Sequence, residues 1–188
     1  MRKYVSIIVL ALLMWSCGGE EFKYSSYHCN LSIDNSTHLD QTLNSALNAS
    51  SPGVFCKISY SISNGATYFV FANNQGSSSK SIFNAIDERL QSQKHIGMNN
   101  GIIIGFGNLS DPAEFYAYDA ECPNCFNLNA IPMKSYPLSI NNNGIATCSN
   151  CKRQYNLNTG GNCINNTGNG LTTYRASTTG ANGRLYVN

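Results

Sequence analysis

Phe115-Tyr116-Ala117-Tyr118-Asp119-Ala120-Glu121-Cys122-Pro123-Asn124-Cys125 and Gly144-Ile145-Ala146-Thr147-Cys148-Ser149-Asn150-Cys151 follow one pattern, a β-branched or aromatic run that ends in a Cys-x2-Cys turn. Such runs read as strands, and the two turns together spell C-x2-C-x22-C-x2-C. Two residues between cysteines let both sulfurs of one turn aim at a common centre, while backbone N–H groups of the turn donate to the thiolates. Four sulfurs in a tetrahedron suit zinc or iron. Paired turns of this kind, joined by a β linker, are uncommon by chance, although the linker is slightly longer than in a typical zinc ribbon. Two other readings stand beside the metal. In an oxidising compartment the cysteines can be disulfides. A thioredoxin-like redox pair at Cys122 and Cys125 needs a helix that starts at the motif, and the polar stretch holding Pro132 and Pro137 has no helical period.

Outward from the turns, the chain is mostly short strands. Residues 54–62 and 67–72 form a hairpin around Ser63-Asn64-Gly65, Ile102 to Ile104 lie between glycines, and further strands fall at 137–140, 145–147, 154–157, 171–176 and 184–187. Leu39, Leu43, Ala46 and Leu47 recur at helical spacing behind Asn35 or Ser36 as a cap, and Ser51-Pro52-Gly53 stops that helix. Ile82, Phe83, Ile86 and Leu90 predict a second helix capped by Ser79 or Ser81, with Asp87, Glu88 and Arg89 facing water. The fold class expected is mainly β, an antiparallel sandwich or barrel with two peripheral helices.

Tyr155-Asn156-Leu157-Asn158-Thr159-Gly160 after the second turn, then Leu171-Thr172-Thr173-Tyr174 and Gly183-Arg184-Leu185-Tyr186-Val187, add to a likeness. Together with the two cysteine segments, they resemble the successive segments of a Rieske-type domain over about residues 53–187. The resemblance implies a small β domain whose two strand-end loops, C-x-H and C-x2-H, hold a two-iron cluster. Cys122 and Cys148 match its cysteine ligands, but its first His position is Asn124 and its second is Cys151, while Cys125 comes one residue late. No His lies in either loop, so His28, His38 and His95 have no ligand role assigned, and a conventional Rieske centre is excluded. The chain divides into a signal segment at 1–17, a polar spacer and helix at 18–51, and a Rieske-like domain at 52–188 with a four-cysteine metal site.

The 188 residues are 42% hydrophobic and 12% charged, enough for a core, and 12 Lys+Arg against 10 Asp+Glu leave a formal charge of +2. Without a basic run beyond the first residues, nucleic acid is not an expected partner. Arg2 and Lys3, the apolar stretch from Val5 to Met14 and then Ser16-Cys17-Gly18-Gly19 resemble a bacterial lipoprotein signal. Cys17 then carries the lipid, the partner is a membrane, and the location is the cell envelope as an outer-membrane lipoprotein. The chain is also similar to small cysteine-rich lipoproteins of Bacteroides-type gut bacteria, which adds compartment and not mechanism. A leader without a twin Arg exports an unfolded chain, so zinc, which binds after folding, is favoured over iron or a [2Fe–2S] cluster inserted beforehand. Lys152 and Arg153 are placed to offset the charge of the thiolates. Cys29 and Cys56 flank the first helix and can bridge, which leaves Cys163 as a free thiol. No acid/base or nucleophilic constellation is found: Asp119 and Glu121 are the nearest candidates and read as solvated strand-end carboxylates, so no enzyme is expected. The expected function is an exported, lipid-anchored module with a structural zinc site. An iron electron carrier and a disulfide-stapled surface module are the alternatives.

Overall fold

The computed structural model describes residues 24–188, so Cys17 and the signal segment lie outside the described residues. The Asn64-Gly65 turn sets the first sheet: both residues are left-handed, at φ 50° and 77°, the geometry that matches strand twist across a two-residue hairpin. The hairpin joins β2 (Phe55–Ser63) to β3 (Ala66–Asn73), in register from Cys56 opposite Asn73 to Ser63 opposite Ala66. The first strand before it is β1 (Leu31–Asp34), and those after it are β4 (Ser78–Ile82), β5 (Ile102–Phe106), β6 (Phe115–Asp119), β7 (Leu138–Ile140), β8 (Ile145–Cys148) and β9 (Gln154–Asn156). The chain closes with β10 (Asn162–Cys163), β11 (Thr173–Tyr174), β12 (Ala176–Thr178) and β13 (Arg184–Val187). The helices are α1 (Asn35–His38), α2 (Gln41–Leu47) and α3 (Ala85–Leu90).

Among the described residues, all strand pairs are antiparallel and form three sheets, in the orders β11-β6-β5-β2-β3-β4, β10-β9-β8-β7 and β1-β13-β12. The fold is mainly β, as the alternating runs predict. Side chains alternate across the six-stranded sheet, so its two faces feed two cores. Ile102, Ile104, Cys56, Ile58, Phe69, Phe71 and Ala117 pack with Leu43, Ala46 and Leu47 of α2 and with Leu31, Ile33, Leu185 and Val187 of the three-stranded sheet. Phe55, Ile103, Tyr116 and Tyr118 face the other way and pack with Leu138, Ala146, Tyr155 and Leu157 of the four-stranded sheet and the short 3-10 turn that follows it.

Several local expectations are corrected. Among the described residues, three short helices replace two. The first predicted helix is split into α1, capped by Asp34, and α2, capped by Asp40, with Leu39 left-handed between them at φ 51° and exposed. The buried Asn35 holds that break: its Oδ1 accepts from the Asp40 N–H at 3.0 Å, and its Nδ2 donates to the carbonyls of Asp40 and Ala181. Ser79 and Ser81 cap nothing, because they lie in β4. The second helix starts after Asn84 in a capping box with Asp87. Run 171–176 breaks at Arg175 into two strands of different sheets. Cys29 and Cys56 are not bridged: both are free thiols in the core, where burial pushes Cys29 up to about 11 and raises Cys56 as well, and they pack as small apolar residues.

Asp87 is buried rather than water-facing, although Glu88 and Arg89 are exposed. Its carboxylate meets His38 Nε2 at 3.0 Å and Lys94 Nζ at 2.9 Å, and Lys94 lies over the Phe69 and Phe83 rings. His38 Nδ1 sits 2.7 Å from Ser81 Oγ, so one buried ion cluster fastens α1, α3 and β4 together. Removing one partner of a buried pair leaves an uncompensated charge, so Asp87→Ala is expected to cost about 3 kcal/mol or more. Glu88→Ala at the exposed neighbour should stay within about 0.5 kcal/mol in the same urea titration.

Candidate metal centre

Each cysteine turn is built by its own backbone. The Cys122 carbonyl accepts from the N–H groups of Cys125 and Phe126, and the Cys148 carbonyl from that of Lys152, which is left-handed at φ 59°. Cys122 leaves β6 through an antiparallel bridge between Glu121 and Pro137, and its N–H donates to the Tyr136 carbonyl. Cys148 ends β8 opposite Leu138 of β7. The first turn thus continues the six-stranded sheet and the second belongs to the four-stranded sheet, and the layering brings them together.

The four sulfurs lie within 4.8 Å of one another. Cys122 Sγ is 3.7 Å from Cys151 Sγ, and Cys148 Sγ is 3.8 Å from Cys125 Sγ. A disulfide bond measures about 2.05 Å, and all four are free thiols, so the pairs are not bonded to each other. Cys122 and Cys148 are buried, while Cys125 and Cys151 are half-buried. The tetrad predicted from spacing is therefore close enough to hold a metal ion.

Donors surround the sulfurs. Tyr155 Oη, in a buried side chain, is 3.3 Å from Cys122 Sγ and accepts from Asn124 Nδ2 at 2.9 Å, which leaves its own proton for the sulfur. Asn150 Nδ2 donates to Cys125 Sγ at 3.3 Å. Burial pushes the Cys122 thiol up to about 12, against hydrogen bonds from Tyr155 and the Asn124 N–H, and it also raises Cys125. Cys151 goes the other way. Burial opposes its ionisation, but the N–H and guanidinium of Arg153 outweigh it and bring the thiol down to about 6. Of the two cations expected to balance the thiolates, only Arg153 is seen to reach a sulfur; Lys152 Nζ donates to the Ser149 carbonyl.

Asn124, at the position the resemblance assigns to the first His, turns to the loop beyond β10: its Nδ2 donates to the Asn169 carbonyl at 2.9 Å and its Oδ1 accepts from the Asn169 N–H at 3.0 Å. Cys163 stands opposite Tyr155 as a free thiol outside the tetrad, and none of His28, His38 and His95 joins it. The roles of Tyr155, Asn124 and Asn150 carry no periodicity or spacing signal of their own, and only the fold reveals them.

Asp119 and Glu121 are not solvated. Both are buried and fully engaged. Asp119 accepts from the Met98 N–H at 2.7 Å, the Glu121 N–H at 2.8 Å and Tyr174 Oη at 2.8 Å. Glu121 accepts from Asn99 Nδ2, Ser135 Oγ and the Tyr136 N–H. Each braces the strand end that presents Cys122. No family model, curated protein or solved structure matches the chain.

Burial raises the Asp119 carboxyl above its ordinary 3.8, with the Met98 and Glu121 N–H groups and the Tyr174 hydroxyl holding it down. Between that ordinary value and the raised one, the folded chain binds more protons than the unfolded one, so stability falls as pH rises through the window. Tyr174→Phe removes a donor to the charged form and extends the window upward. The substitution should cost roughly 2 kcal/mol near pH 7 and less near pH 4, read from urea unfolding at both values.

Proposed function

We propose that Cys122, Cys125, Cys148 and Cys151 hold one structural zinc ion that staples the two sheets of an exported, lipid-anchored, Rieske-like module with no catalytic chemistry. The observation that carries this reading is the sulfur spacing. Zinc bound to thiolates at about 2.3 Å in a tetrahedron sets its ligands about 3.8 Å apart. Two contacts between the turns measure 3.7 and 3.8 Å. The compactness of the set, within 4.8 Å throughout, favours one ion. A two-iron cluster divides four thiolates between two ions and needs the pairs to stand further apart.

Zinc with four thiolates leaves about two excess negative charges. Arg153, Tyr155, Asn150 and the turn N–H groups supply the donors that offset them. A single iron in the same shell is the second reading. It is favoured by the partial exposure of Cys125 and Cys151, which brings the centre near the surface where electrons can pass. The resemblance of residues 53–187 supports the Rieske-like assignment, and the segment ending at Cys17 supports export and lipidation.

Protein recovered from its own envelope without added metal should contain about one zinc per chain and be colourless, because zinc thiolates have no visible d–d bands. A visible band with iron would move the centre to electron transfer, and folded protein free of metal would end the metal reading. Cys122→Ser and Cys148→Ser should each lose the ion and lower the melting temperature, whereas Cys163→Ser should do neither. Acidification should release the ion, since the ligands bind as thiolates. Cys17→Ser should move the protein from the detergent phase to the aqueous phase; unchanged partitioning would refute the anchor.

A further inference from the structure

Two short sulfur contacts run between the turns rather than within one. Cys122 meets Cys151 and Cys125 meets Cys148, so each contact joins one turn to the other. Each contact pairs a buried cysteine with a half-buried one, and a cavity distinguishes the two. Cys125 borders a cavity of about 340 Å³ that is also lined by Asn127, Ile131, Pro132, Lys134 and Tyr136, and it alone of the four cysteines does so. Ile131 on that cavity is fully exposed, which places the opening at the surface. A small oxidant entering there meets Cys125 first, with Cys148 3.8 Å behind it.

We propose that the tetrad is a peroxide-responsive centre in which Cys125 is oxidised first, Cys148 resolves it, and Cys122 with Cys151 forms the second disulfide. The release of zinc rests on the metal reading above; the order and pairing of the disulfides do not. The Cys125 thiolate attacks one oxygen of hydrogen peroxide, the O–O bond breaks, and hydroxide leaves from a sulfenic acid. The Cys148 thiolate then attacks the Cys125 sulfur, the S–S bond forms, the S–O bond breaks, and a second hydroxide leaves. Two thiolates give two electrons to one peroxide, and both hydroxides take protons from the buffer acid to become water. A second peroxide oxidises Cys122 and Cys151 in the same way. Each pair closes by less than about 2 Å to reach bonding distance. The ion departs once its anionic ligands are consumed. Disulfides paired across the turns keep the two sheets tied after the metal has gone, whereas disulfides within the turns would untie them.

The test uses the protein as purified, titrated with hydrogen peroxide while a chromogenic chelator reports zinc and alkylation with peptide mapping reports disulfides. Release should be complete near two peroxides per chain, with Cys125–Cys148 appearing before Cys122–Cys151. Pairs within the turns, or Cys163 in either disulfide, would overturn the proposal. The same mapping on protein stripped of metal decides the pairing even if no zinc is found, so the two readings fail separately. Cys148→Ser should leave Cys125 as a sulfenic acid that a selective nucleophile traps. Ala130 also lines the cavity, and Ala130→Trp, which fills it, should slow the first oxidation about tenfold while zinc content stays unchanged. An equal rate would remove the cavity from the mechanism.

Discussion

Ile102, Ile103 and Ile104 are all fully buried in one strand, and a strand alternates its faces, so β5 must be covered on both sides. That requirement orders the molecule. One face is covered by α2 and the sheet that joins β1 near the beginning of the described chain to β13 at its end, and the other by the four-stranded sheet. Gly105 continues β5 where a side chain would sit 2.3 Å from the Val54 carbonyl and 2.8 Å from the Phe55 ring. Only glycine lets Phe55 lie close enough to join the second core. Because the four-stranded sheet is pressed onto that face, the turn at its Cys148 end comes against the turn at the end of β6.

The site's precision comes from groups behind it rather than from the cysteines. Two buried carboxylates are tolerated because each accepts three hydrogen bonds, Asp119 across β6 to Tyr174 and two backbone N–H groups, Glu121 across the loop to Ser135, Tyr136 and Asn99. Together they hold the strand end, and Tyr155 carries the positioning to the sulfur. With an ion between the turns, metal binding and the docking of one sheet on another become one equilibrium.

Asparagine, abundant in this chain, acts mainly as a substitute for regular structure. Asn74 is buried, accepts from the Phe55 N–H at 2.9 Å and donates to the Gly53 carbonyl at 3.0 Å and that of Asn141 at 3.3 Å. Asn158 does the same between loops, accepting from the Asn108 N–H at 3.2 Å and donating to the Asn143 carbonyl at 3.1 Å. The polar composition that reads as an exported surface also supplies, at these positions, the donors and acceptors that long loops need when they are buried.

Local pattern was enough for what local pattern controls. Alternation over 54–62 and 67–72, the Asn64-Gly65 turn and the C-x2-C spacing each depend on residues a few positions apart, and the hairpin, the strands and the tetrad were legible from them. Some elements misled because their determinants are distant. The break at Leu39 depends on Asn35 reaching Ala181, and the burial of Asp87 depends on His38, so neither helix ended or faced as its own period implied. Tyr155 gives no sign in sequence that it serves Cys122, thirty-three positions away. Spacing by itself picked out the four cysteines that come together; the tertiary structure decided which sulfurs touch, which of them a cavity exposes and which donors surround them, because those contacts arise only when the four-stranded sheet packs on one face of the six-stranded sheet.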